Sequence, residues 1–406
     1  MAGRILALIG IVLVALGLRD AATAVSPILL SIEKDIPFHD VGIGVLAMLA
    51  PFAFAVVGTL TPPVSRRLGL EWSTICATAL IGAGQVVRAF APDSTWFIAW
   101  SFVSLAGTGA ANVLLPPLVK KYFPDRIGSV STAYLFAAVV GSVMAAYLAA
   151  PLAESTDWRT SVATWGFVAI VAVVPWLAAA IRRPSRHAAA SVPPAVAHNP
   201  RVTKLVWSSP ASWALVASFT IATVNCYIMW GWLPLYLQER LGMSEADSGT
   251  MLGLYTLMAV PSSLLGPTLI SRARTLAPFV VYGMVVLISG GLGLWLIPDQ
   301  VTWLWVALSG LGVIFFNITL VSINLRTSSP VGSVALSGMT QGVGYLVGAI
   351  GPLIIGFIHH SVNDWTPVFL IIIGSALVGL FPLTVLHRHT PVDQDREKAV
   401  PDRASL

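Results

Sequence analysis

Long runs of apolar residues, separated by short polar breaks, fill this chain from one end to the other. A helix needs about 20 apolar residues to cross the hydrocarbon core of a bilayer. Twelve runs reach that length, so the pattern predicts an all-α membrane protein of twelve transmembrane helices. The predicted helices cover residues 5–30, 41–63, 72–91, 95–119, 128–152, 158–181, 211–236, 246–269, 276–297, 300–323, 335–358 and 365–387.

The composition supports this class. Hydrophobic residues make up 56% of the chain, charged residues only 10%, and the mean hydropathy is +0.82. Soluble domains carry about 25% charged residues, so the lipid bilayer is the expected surrounding. The basic pI of about 9.4 is explained by membrane topology and by contact of the basic residues with anionic lipids. We expect no nucleic-acid partner, because there is no soluble basic domain to bind one.

The basic residues indicate an orientation, since Lys and Arg collect in cytoplasmic loops. With the N-terminus in the cytoplasm, nearly all loop Lys and Arg residues fall on the cytoplasmic side. The exceptions are Lys34, Arg159 and Arg240. The sequence therefore predicts a multi-pass protein of the plasma (inner) membrane with both termini cytoplasmic.

An internal repeat divides the chain. The longest polar stretch, residues 182–210, is rich in Ala, Pro and basic residues and predicts a cytoplasmic linker. It separates an N-terminal six-helix half, residues 1–181, from a C-terminal six-helix half, residues 211–387. A cytoplasmic tail, residues 388–406, follows. Matching residues recur in the same order in both halves: Asp40 and Asp247, Arg66 and Arg272, Asn112 and Asn317, Gly128 and Gly332, Asp157 and Asp364.

Two parallel six-helix repeats are typical of major facilitator transporters, in which substrate binds near the midplane between two halves that rock about it. This construction implies the major facilitator fold and transport by alternating access. In that architecture the first, fourth, seventh and tenth helices line the central cavity. The second, fifth, eighth and eleventh lie beside them.

Four stretches narrow the resemblance: residues 17–19, residues 112–126 with Asn112 and Lys120, residues 232–234, and residues 336–346. They resemble the cyanate permease and 2-nitroimidazole transporter family within the major facilitator superfamily. The resemblance implies a secondary active transporter of a small anion or a small polar heteroaromatic compound. That family usually has proline after the first-helix arginine, whereas Asp20 stands here.

Arg19 and Asp20 lie inside the first predicted helix, where ionisable residues are costly and mark functional sites. The Arg19 guanidinium suits a carboxylate or a small planar anion, and a structural ion pair is the alternative. Asp20 does not share a helix face with Arg19. It either pairs with Arg88 of the third helix or serves in proton coupling. If Asp20 does not couple transport to protons, either the substrate carries its own proton or transport is uncoupled.

Neutral polar residues on the cavity helices complete the predicted substrate site, with hydrogen bonding between helices as the alternative for each. Gln341 and Tyr345 share a helix face, and Asn112 and Asn317 are repeat equivalents. All seven histidines fall in predicted loops or tails. The predicted substrate-binding residues are Arg19, Asn112, Asn225, Tyr227, Trp230, Asn317, Gln341 and Tyr345.

Two other functions compete with this prediction. One is a multidrug efflux carrier of the same fold, although the fifth helix lacks the glycine-rich motif ending in Gly-Pro that such carriers often have. The other is a non-transporting membrane receptor, which would need a signalling domain or a long ordered tail. The sequence contains no arrangement typical of an enzyme, so we expect no catalytic residues, cofactor or metal. We expect a monomer whose partners are a small-molecule substrate and, if Asp20 couples transport, protons.

Overall fold

The computed structural model describes residues 2–38, 40–182, 200–362, 364–386 and 392–393. Within these residues the regular secondary structure is entirely helical. Twelve segments are long and apolar enough to cross a membrane, which confirms the predicted all-α architecture.

The twelve segments, α1 to α12, fall into two halves of six. The helices of the N-terminal half are α1 (Ala2–Leu16, Asp20–Thr23, a 3-10 turn at Ser26–Ile28, and Leu29–Glu33), α2 (Asp40–Leu68), α3 (Leu70–Ala89), α4 (Ser94–Tyr122), α5 (Ile127–Ser155) and α6 (Trp158–Val171 and Val173–Arg182). The helices of the C-terminal half are α7 (Pro210–Leu241), α8 (Glu245–Leu257 and Ala259–Arg272), α9 (Ala277–Leu296), α10 (Thr302–Leu311 and Ile314–Leu325), α11 (Pro330–Val362) and α12 (Thr366–Leu377 and Leu380–Val385).

The first helix is broken inside its membrane crossing, around residues 17–19. The amides of Gly17 and Leu18 bond only three residues back, each at 3.2 Å. The next piece starts at Asp20, whose Oδ1 accepts a hydrogen bond from the Ala21 amide at 2.6 Å. Helix α5 presses against the break, because a Cβ on Gly141 would lie 1.9 Å from the Leu16 carbonyl oxygen. Glycine at position 141 therefore lets the broken helix α1 fit against α5.

The connection between the halves is partly helical. Residues 183–199 of the predicted linker lie outside the described residues, as does the predicted tail except for Val392 and Asp393. The end of the linker forms a short helix, Pro200–Ser208, which packs against α11. Its Val206 is buried in the core of the C-terminal half. The linker thus ends in an ordered contact with the second half.

The two ends of the bundle differ in charge. The end where α1 finishes and α2 begins carries acids such as Asp35, Glu154 and Asp299, and we call it the acidic end. The end where α2 finishes carries Arg66 and Lys120, among others, and we call it the basic end.

The halves are joined at the acidic end. The Glu245 carboxylate of α8 accepts hydrogen bonds from the backbone amide and the hydroxyl of Ser31, both at 2.9 Å. Gln238 of α7 donates to the Pro27 carbonyl at 2.8 Å. In addition, α2 and α11 approach so closely that a Cβ on Gly44 would lie 3.1 Å from the Gly356 Cα.

Toward the basic end the same helices separate. An added Cβ at Gly338 or Gly342 of α11 would have no neighbour within 4 Å. The side chain of Asn112 on α4 is exposed. Hydrogen bonds at this end, such as that from Tyr122 to Glu71 and that from the Ser328 amide to Asp393, stay within one half. The bundle is therefore closed at the acidic end and open at the basic end.

Candidate functional site

Arg19 lies in the break of α1, between the two halves. Its side chain is partly buried, and its guanidinium carbon is 5.5 Å from the ring centroid of Trp230 on α7. Among the residues that the structure describes, no carboxylate lies within 4.0 Å of this guanidinium. A cation over an aromatic face is attracted by the ring quadrupole. Arg19 thus has an aromatic neighbour from the opposite half, with no acidic partner there.

Aromatic rings from both halves surround this position. Tyr227 meets Trp230 edge to face, with ring centroids 5.6 Å apart. Phe54 of α2 lies edge to face with Tyr345 of α11 at 5.6 Å and with Tyr227 at 6.5 Å. Phe219 continues the cluster, at 5.0 Å from Tyr345. Edge-to-face pairs are a favourable aromatic geometry, so these rings form a packed apolar wall.

The charge of Arg19 reaches this wall. Its guanidinium carbon lies 5.5 Å from the centroid of the Trp230 ring, which packs edge to face against Tyr227. A single cation with aromatic faces and phenol hydroxyls around it suits a small planar solute that carries negative charge or hydrogen-bond acceptors.

Asp20 and Arg88 belong to a separate, fully enclosed network. Both side chains are essentially inaccessible, at 1% and 0% exposure. They do not form a direct ion pair: Gln85 donates to Asp20 at 3.3 Å and accepts from Arg88 at 3.3 Å. Arg88 also donates to the Ala21 carbonyl at 3.1 Å and to the Ser101 hydroxyl at 3.3 Å. The network ties α3 and α4 to the second piece of α1.

Two of the predicted amides bind neighbouring helices of their own half. Asn225 donates to the Ile221 carbonyl and to the Ser375 hydroxyl of α12, both at 2.8 Å. Asn317 donates to the Ser262 carbonyl of α8 at 2.7 Å. None of these three hydrogen bonds involves Arg19 or its aromatic neighbours.

The other two amides bond within their own helices. Asn112 donates to the Thr108 carbonyl at 3.1 Å, and Gln341 donates to the Ser337 hydroxyl at 2.7 Å. Gln341 is half-buried and lies one turn before Tyr345 on α11. Of the predicted site residues, the structure brings together Arg19, Tyr227, Trp230 and Tyr345.

Sequence reasoning did not single out three residues that the structure makes important. Phe54 and Phe219 lie on helices that were predicted to border or line the cavity, and this placement is the signal that could have identified them. Gln85 lies one turn before Arg88 on α3, and this spacing places both side chains on the same face. A buried amide beside a buried arginine would have indicated the bridge to Asp20.

One prediction about histidine is wrong. His359 belongs to α11, which extends past the predicted boundary at residue 358. It is buried against the rings of Trp232 and Trp365, at centroid distances of 6.0 and 4.5 Å. Its Nε2 lies 3.5 Å from a carboxylate oxygen of Glu239. The two consecutive histidines at the apolar boundary made the helix look shorter than it is.

Comparison with known proteins gives consistent matches over almost the whole chain. The family model of the Major Facilitator Superfamily matches residues 7–349. The 2-nitroimidazole transporter of Escherichia coli (strain K12) is 31% identical, over 94% of this chain and 95% of its own length. The cyanate transport protein CynX of the same organism is 24% identical, over 92% and 96%.

Solved structures share the fold. A bacterial homologue of the human lysosomal transporter Spinster, in an inward-facing and occupied conformation, superposes with a TM-score of 0.74 at 14% identity and covers 93% of this chain and 94% of its own. The nucleoside transporter NupG superposes with a TM-score of 0.71 at 12% identity and covers 95% and 99%.

Proposed function

This chain belongs to the major facilitator superfamily, and we propose that it is a secondary active carrier for a small anion or a small polar heteroaromatic compound. In this proposal the substrate binds at the Arg19 site between the two halves, and alternating access moves it across the membrane. Each chain contains both halves of the site, so we propose the monomer as the transporting unit.

The observation that carries the proposal is the position of Arg19. An intramembrane arginine is normally compensated by an acid or a backbone carbonyl, yet the described surroundings of this guanidinium supply aromatic rings and no carboxylate. The relatives that transport 2-nitroimidazole and cyanate support this substrate class, because both names describe small solutes with hydrogen-bond acceptors or negative charge.

We propose that the basic end faces the cytoplasm of an inner (plasma) membrane protein, as the distribution of Lys and Arg favours. Both termini are then cytoplasmic. In this orientation the structure is an inward-open state, since the bundle is closed at the acidic end by Ser31 and Glu245.

For Asp20 and Arg88 we propose the structural role. Both groups are enclosed, and Gln85 satisfies one atom of each. A carboxylate that couples transport to protons must exchange protons with the cavity, and enclosure opposes such exchange. In this proposal the buried network instead holds the broken first helix against α3 and α4.

The test is binding of cyanate and 2-nitroimidazole to the purified protein, measured by calorimetry. A hydrogen bond to a charged group contributes about 1.5–3 kcal/mol, so Arg19→Ala should weaken binding by about tenfold to a hundredfold. Arg19→Lys should recover part of the loss, because lysine keeps the charge and lacks the planar fork. Arg66→Ala, which removes an exposed arginine at the basic end, is the matched control. Equal affinities for wild type and Arg19→Ala would contradict the proposal.

A further inference from the structure

A small chamber lies between the halves on the acidic-end side of Trp230. Its volume is about 40 Å³, and residues of α1, α2, α4 and α7 line it. Trp230 contributes to its wall and also packs over Arg19. The same indole therefore borders both the Arg19 site and this chamber.

Most of the chamber wall is apolar, with side chains such as Val25, Leu46 and Leu105. Two lining residues have buried polar groups without a hydrogen-bond partner: the indole Nε1–H of Trp230 and the hydroxyl of Ser26. Trp230 is 6% exposed and Ser26 is 5% exposed. A buried donor without a partner costs about 1–3 kcal/mol, so these two groups favour a ligand that accepts hydrogen bonds.

A third polar group adds to this preference. Ser101 also lines the chamber, and its oxygen accepts a hydrogen bond from Arg88 at 3.3 Å. That bond uses one lone pair of the oxygen and leaves the hydroxyl hydrogen available to donate. The same guanidinium nitrogen donates to the carbonyl of Ala21, another lining residue. The polar part of the wall thus includes two hydroxyls and the Trp230 indole N–H, with the buried Arg88 guanidinium bonded behind Ser101 and Ala21.

The size of the chamber limits what it can hold. One water needs about 10–15 Å³ of such volume, so 40 Å³ suits a group of about three heavy atoms. A triatomic anion, a nitro group or a carboxylate meets this limit, whereas a complete heteroaromatic ring exceeds it. An indole N–H and hydroxyls among the residues of a mostly apolar wall resemble the few polar groups of small-molecule sites.

We propose that this chamber is a second binding site on the transport path, specific for a hydrogen-bond-acceptor group of two or three heavy atoms. The group is either a free triatomic anion or the acceptor end of a larger solute whose ring stays at the Arg19 site. The inference rests on the proposed transport function. Trp230 borders both positions, and its N–H together with the Ser26 hydroxyl selects the acceptor.

The experiment follows the Trp230 indole N–H directly, by nuclear magnetic resonance of the full-length protein with isotope-labelled tryptophan. Trp230→Phe, which keeps an aromatic ring and removes the N–H, assigns the signal. Sodium nitrite is the probe for a free anion. The compound 2-nitroimidazole, compared with imidazole, is the probe for the acceptor end of a larger solute. We expect nitrite or 2-nitroimidazole to shift the Trp230 signal and imidazole to leave it in place.

Binding measurements on variants complete the test. Trp230→Phe and Ser26→Ala should each weaken binding of the active probe by about tenfold. Trp165→Phe and Ser212→Ala are the matched controls, because they remove an N–H and a hydroxyl that are likewise buried and without a partner but lie outside the chamber. They should leave the affinity unchanged.

The outcomes separate this inference from the proposed function. An unshifted Trp230 signal with every probe would overturn the chamber as a site, even if Arg19→Ala abolished binding. Equal losses in the chamber variants and in their controls would overturn it as well. A shift with nitrite alone identifies a free anion as the ligand, and a shift with 2-nitroimidazole alone identifies the end of a larger solute.

Discussion

Removing the Glu245 carboxylate should open the acidic end of the bundle. This carboxylate accepts two hydrogen bonds from Ser31, one from the backbone amide and one from the hydroxyl, both at 2.9 Å. The two residues belong to opposite halves, so the contact exists only while the acidic end is closed. A contact made in one of two states shifts their populations by its own free energy.

The magnitude follows from this geometry. A hydrogen bond to a charged group contributes about 1.5–3 kcal/mol when it is buried. Both partners here are partly exposed, and solvent reduces the value to about 1 kcal/mol for each bond. Glu245→Ala should therefore cost the closed state about 2 kcal/mol, which changes the ratio of the two states about thirtyfold. Glu245→Gln should have a smaller effect, since an amide can still pair with the amide and the hydroxyl of Ser31.

Distances between spin labels at the acidic end would measure this change. Lys34 and Gln300 are exposed there on opposite halves and can be replaced by labelled cysteines after Cys76 and Cys226 have been changed to serine. We expect a longer distance in Glu245→Ala, an intermediate distribution in Glu245→Gln and no change in the control Asp247→Asn. Asp247 contacts Ser244 in its own half. Unchanged distances in Glu245→Ala would refute the reasoning.

Three further predictions concern other contacts. Gly141→Ala should destabilise the protein by about 2 kcal/mol or more, because a Cβ there would lie 1.9 Å from a carbonyl oxygen of α1. The measurement is a lower Tm. Gly338→Ala is the control and should leave the Tm unchanged, because a Cβ at that position would lie in open space. Burial raises the pKa of Asp393, but hydrogen bonds from Ser328 and the following serine outweigh it and hold the pKa below its ordinary value. Its stabilising effect is therefore present above about pH 3.9 and lost as the pH falls through the lowered pKa, so Asp393→Asn should lower the Tm at neutral pH and match wild type in strong acid. Asp20→Asn should cost about 1–3 kcal/mol of stability, because it perturbs the buried hydrogen bonds to Gln85 and Ala21, and should leave the pH dependence of transport as in wild type. Loss of that dependence in a stable variant would instead assign proton coupling to Asp20.

The sequence was sufficient to predict the membrane-spanning helices and to identify Arg19 as a candidate site residue. The hydropathy of a segment depends only on the residues in it, and an arginine inside an apolar run is visible without coordinates. The break in α1 was not predictable in the same way. Residues 17–19 lie inside one continuous predicted span, and the break lies where Leu16 packs closely against Gly141 of a distant helix.

The same limit applies to the predicted amides. A polar residue in a membrane helix indicates a partner inside the protein, but the rotation of the helix decides which partner it is. Asn225 bonds to α12, and Asn317 bonds to α8. A few residues after Asn225, Tyr227 contacts Phe54 and Trp230 contacts Arg19. A shift of one residue along a helix turns a side chain by about 100°, so helix assignment alone does not identify the residues of the site.

The closed acidic end has a consequence for reagents that act on this protein. Lys34 and Asp35 of one half and Ser244 and Asp299 of the other are exposed at this end, on either side of the contact between Ser31 and Glu245. An antibody fragment that bridges them would recognise a surface that exists only while the halves are joined. Such a fragment should hold the two halves together without entering the cavity. Counter-selection with the Glu245→Ala variant would remove binders that do not require the closed acidic end.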